Sequence, residues 1–162
     1  MIYLLISIIL DIFLSNVIIS SYQNINYLFP IILISSFTIF YNIIKNKKVF
    51  FILIIVLGII YDLLYSDIPM LNLYYFLLLG LFLHIFYLNK KPTYFNIVLI
   101  SIFSFIFYDI YIAFILILLD YINIEVSFII YKIASSFLIN FLFVLLSTIL
   151  LRSRILGYRK GF

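Results

Sequence analysis

The groups able to do chemistry are few and unevenly placed. Of six acidic residues, Asp11, Asp62 and Asp109 fall inside long apolar runs, while Asp67, Asp120 and Glu125 fall in short polar breaks. Lys132 is the basic residue set inside such a run, and His84 is the only histidine. A carboxyl group in an apolar run is costly unless paired or hydrogen-bonded, so it marks an internal contact or a path for a cation or proton. With no cysteine there is no disulfide framework, thiolate metal site or cysteine nucleophile. No HExxH spacing, Gly-rich phosphate loop or G-x-S-x-G elbow occurs. No catalytic, cofactor-binding or metal-binding residue is assigned. An intramembrane hydrolase built on Asp11 and Asp109 ranks lowest among the functional readings, because nothing around either residue matches a dyad motif.

One stretch organises the rest. Gly58, Tyr61, Asp62 and Tyr65 recur at i, i+3, i+4 and i+7, forming one stripe of a helix. That stripe is expected to face another helix, in this chain or in a partner. Asp62 lies about 6 Å below the break at Ser66, and Lys132 about 10 Å below Glu125, by helical rise. Their similar depth predicts an ion pair between the third and sixth segments. Asp11 and Asp109 lie deeper. His84, near the inner end of its segment, reads as a hydrogen-bonded interface residue. Tyr61-Asp62 and Tyr108-Asp109 occupy related places in the third and fifth segments, the trace a duplicated hairpin would leave.

The elements that must position these groups are six apolar segments, 1–20, 27–44, 49–65, 69–88, 94–119 and 126–151. Each approximates the length needed to cross a bilayer core. The chain is 68% hydrophobic and 10% charged over 162 residues, against about a quarter charged in soluble domains. This composition predicts an all-α integral membrane protein with one six-span bundle. Lys45, Lys47, Lys48, Lys90 and Lys91 lie in the second and fourth connections, and the tail 152–162 is basic. The first, third and fifth connections hold no Lys or Arg, and Asp67, Asp120 and Glu125 lie in the third and fifth, so the positive-inside rule puts both termini in the cytoplasm. The net charge of +4 is therefore a topology signal, with no nucleic-acid partner implied. The first segment lacks a basic leader and a cleavage site and is expected to be a retained helix. Polar residues gather on one side of each segment: Ser7, Asp11 and Ser15; Ser35, Thr38 and Asn42; Ser101, Ser104 and Tyr108. Packed helices use such stripes for interhelical hydrogen bonds.

The stretch Gly58–Gly80, reading GIIYDLLYSDIPMLNLYYFLLLG, resembles the rod shape-determining protein MreD family. The resemblance rests on Gly58, Asp62 four residues later, and the acidic exit Tyr65-Ser66-Asp67. Pro30, opening the second segment, also matches. The chain departs where the family usually has a glycine before the fourth helix; here the turn is Ile68-Pro69-Met70. The resemblance implies a non-enzymatic scaffold of the bacterial cell-elongation machinery, controlling cell shape and peptidoglycan synthesis. Its implied partner is a bitopic MreC-like protein, and through it MreB, the RodA glycosyltransferase and a penicillin-binding transpeptidase. The implied fold is similar to the substrate-binding component of energy-coupling-factor transporters. A vitamin-binding component of that kind is the alternative reading. Against it, the first segment has no alanine for a small-residue docking patch.

Overall fold

The computed structural model describes residues 2–19, 32–65, 68–88, 92–120 and 126–151. Among these residues the chain is entirely helical, with six helices and no strand. They are α1 (Ile2–Ile19), α2 (Ile32–Ile43), α3 (Lys47–Tyr65), α4 (Leu71–Leu88), α5 (Tyr94–Leu118) and α6 (Val126–Leu150). Two of them, α4 and α5, are long and apolar enough to cross a membrane by length and composition.

Local chemistry marks where helices start and stop. Asn46 opens α3, its side-chain oxygen accepting from the Lys48 amide at 3.0 Å. Thr93, extended at φ −112°, opens α5, and its hydroxyl accepts from the Asn96 amide at 3.3 Å. Before α4, Met70 adopts φ 65°, and its carbonyl accepts from the Tyr74 amide at 3.0 Å. The turn thus requires the left-handed conformation that glycine enters freely, although methionine occupies it. Asp120 does the same beyond α5, at φ 50°.

The centre of the bundle is α2, whose residues 32–41 are all buried. It packs against α1, α4, α5 and α6, while α3 packs chiefly on α4. Phe37 meets Phe76 edge-on at 5.0 Å, and Tyr41 meets Phe50 at the same distance. Outside this core the usual polarity is reversed. Ile9, Phe13, Ile52, Leu63, Ile85, Phe95, Phe107 and Leu146 are exposed, whereas Asp11, Asp62, Asp109, Asn72, Asn140 and Ser101 are buried.

Candidate functional site

The acids of α1 and α3 are used in the same way. The Asp11 carboxylate accepts from the backbone N–H groups of Ile32 and Leu33, the latter at 2.8 Å. Asp62 accepts from the Asn72 amide at 2.7 Å, the Leu73 amide at 3.0 Å and the Asn72 side-chain N–H₂ at 3.0 Å. Each carboxylate therefore sits on the first turn of the helix that follows its own. The leading N–H groups of a helix have no intrahelical acceptor and carry the positive end of its dipole. A carboxylate there meets two needs at once: it satisfies orphan donors and is itself hydrogen-bonded in an apolar interior.

Geometry makes this reach possible. A Cβ on Gly58 would lie 2.7 Å from the Leu73 Cα, closer than packed atoms allow. Only a bare Cα lets α3 approach the start of α4 so tightly. Asp62, one turn on along the same stripe, then meets the amides of Asn72 and Leu73. Gly80 borders the other end of this contact, but there an added Cβ meets side chains, Ile54 at 2.9 Å and Phe51 at 3.1 Å.

Tyrosines link one capped helix start to the next. The Tyr61 hydroxyl donates to Asp11 at 3.2 Å, and Tyr61 directly precedes Asp62. The Tyr108 hydroxyl donates to the Asn72 side-chain oxygen at 2.6 Å, and Tyr108 directly precedes Asp109. A buried chain of polar contacts thus runs from Asp11 through Tyr61-Asp62 and Asn72 to Tyr108-Asp109. Tyr61 and Tyr108 act alike in it: each reaches back to the preceding hairpin. Asn72 is the member that periodicity missed; an amide in the first turn of an apolar helix was its only signal.

The other end of α2 carries a cation. The Lys47 ammonium donates to the carbonyls of Tyr41 and Ile44, the latter at 3.1 Å, and lies 3.8 Å over the Tyr41 ring. These are end-of-helix carbonyls, where positive charge is favoured. Burial pushes the Lys47 ammonium down to about 8, so at pH 7 it is still protonated. Nearby, the Tyr41 hydroxyl pairs with Nδ1 of His84 at 3.0 Å, tying α2 to α4. His84 therefore stands apart from the carboxylate chain. Ser35 donates to Asn140 at 2.7 Å, and Thr38 shares a hydrogen bond with Ser101, fastening α2 to α6 and α5.

The stripe of Gly58 and Asp62 thus faces α4 of the same chain. The proposed pairing of Asp62 with Lys132 involves a side chain outside the described residues, and Asp67 also lies outside them. What the structure adds is the α4 start as the Asp62 partner, through three hydrogen bonds. Among the described residues no three His, Cys, Asp or Glu side chains gather to hold a metal ion. The arrangement suits holding helices in register. No protein-family model matches the chain, and no match is found among curated proteins or solved structures.

Proposed function

We propose that this chain is a multi-pass protein of the bacterial cytoplasmic membrane, with six spans and both termini inside. Its role in this reading is a non-enzymatic scaffold of the cell-elongation machinery, docking an MreC-like single-span partner. The observation that carries the membrane part is the reversed polarity: three aspartates are buried while large apolar side chains line the outside of every helix but α2. In water this surface would aggregate; in lipid it is the surface expected. The scaffold part rests on the resemblance carried by Gly58–Gly80. Gly58 and Asp62 join α3 to α4 rather than forming an open reactive centre.

Affinity purification from membranes in mild detergent tests the scaffold reading. Recovery of a single-span protein with a periplasmic coiled coil is the expected result. Co-purification of ATPase subunits with a bound vitamin would replace it with the carrier reading.

A further inference from the structure

The turn between α2 and α3 carries Lys45, Lys47 and Lys48, and the structure divides their work. Lys47 is turned inward, its ammonium on the carbonyls at the end of α2 and over the Tyr41 ring. Lys45 and Lys48 are exposed on either side of Asn46. Asn46 itself takes the first amides of α3: its side-chain oxygen accepts from Lys48 and its carbonyl from Val49. The charge this corner offers outward is therefore that of two ammonium groups on a capped turn. Along α3 from Lys48 the surface changes character. Ile52, Val56, Ile59 and Leu63 follow at i+4, i+8, i+11 and i+15, one stripe of the helix, and all four are exposed. Lys48 to Ile59 is about 17 Å by helical rise, close to half of an apolar core about 30 Å thick. The corner thus has a charged end and an apolar leg one leaflet long.

We propose that the α2–α3 corner binds an anionic phospholipid of the inner leaflet, its phosphate held by Lys45 and Lys48 and an acyl chain lying along Ile52 and Val56. The sign of the charge selects an anionic headgroup over a zwitterionic one. The cytoplasmic leaflet supplies such lipids, and each lysine near its surface strengthens the attraction about fivefold. The apolar leg selects a lipid over a free phosphate or an acidic peptide in water, since neither would cover it. Helices approach closely in membranes through small residues. This stripe holds none, because Gly58 faces α4. The proposal rests on the membrane reading and orientation above and is independent of the partner protein.

The test is native mass spectrometry of the detergent-purified full chain, titrated with phosphatidylglycerol or with phosphatidylcholine of the same acyl chains. Phosphatidylglycerol is expected to bind several-fold more tightly, and the difference to shrink in added salt, which screens exposed charges. Combining Lys45→Gln with Lys48→Gln reduces the preference several-fold. Lys47→Gln keeps it, because that ammonium is already engaged inside. If Lys47→Gln does not fold, the double variant, changed only at exposed positions, still decides. Equal binding of the two lipids, an unchanged preference in the double variant, or displacement of the lipid by excess inorganic phosphate overturns the proposal. So does a double variant that loses a co-purifying acidic protein while its lipid preference stays. Recovery of the chain from the soluble fraction would instead defeat the membrane reading, before any lipid is added.

Discussion

At the scale of single residues, Asp62 carries the largest expected effect. Asp62→Ala strips the acceptor from two backbone amides and an asparagine, at about 2–3 kcal/mol. Asp62→Asn keeps one oxygen and is expected to cost roughly half as much. Thermal midpoints in detergent check both, and an unchanged midpoint for the alanine variant would remove Asp62 from the stabilising contacts. Met70 offers the opposite sign. Its left-handed backbone costs a side-chain-bearing residue about 1–2 kcal/mol, offset in part by the chain entropy a glycine adds. Met70 is exposed, so little packing is lost. Met70→Gly is expected to raise the midpoint, and a lowered one would mean that the side chain has contacts worth more than the strain.

At the scale of helices, two predictions concern α2 and the α3–α4 hairpin. Gly58→Ala drives a methyl group against the backbone of Leu73, which cannot yield without shifting the hairpin. Gly80→Ala meets the end of the Ile54 side chain, which can rotate. The first substitution should therefore be clearly more destabilising than the second, by about 1–3 kcal/mol for overpacking; equal melting shifts would argue against the close approach at Gly58. Lys47 governs a pH effect. Its folded-state value of about 8 lies below the ordinary lysine value, so between these limits the unfolded chain binds more protons. Stability from this group is reduced below pH 8 and rises as pH climbs from 8 towards 10.5. Subtracting the melting curve of Lys47→Met from that of the parent isolates this rise; parallel curves would place the titration elsewhere.

The whole molecule is held by a repeated device. In two successive hairpins an acid on the first helix caps the second, and a tyrosine before the next acid reaches back to that cap. Such a chain should be cooperative, since removing one member unsettles its neighbours. Asn72→Ala and Tyr108→Phe are expected to be non-additive in their effects on melting, because each removes the same 2.6 Å bond. Orientation in the bilayer is open to direct measurement, because the chain has no cysteine. Single cysteines at Asn46 and Lys90 should react only with reagents that enter the cytoplasm, and one at Asn123 should react from outside. Labelling of Asn46 from outside would reverse the topology proposed here.

Composition and spacing alone determined the helical class and the positions of six apolar segments, since apolar runs interrupted by short polar breaks leave few other solutions. They also singled out Asp11, Asp62 and Asp109, because an acid among isoleucines and leucines stands out whatever the fold. Partners were another matter. Lysine is the obvious companion for a buried acid by charge, and depth matching selected Lys132 for Asp62. The Lys132 side chain lies outside the described residues, and what the tertiary structure brought to that carboxylate is the N–H groups of Asn72 and Leu73. Every residue has a backbone amide, so no side-chain pattern marks which of them will be left without an acceptor. That depends on where one helix begins against the flank of another, and only the packing of α3 on α4 across Gly58 decides it.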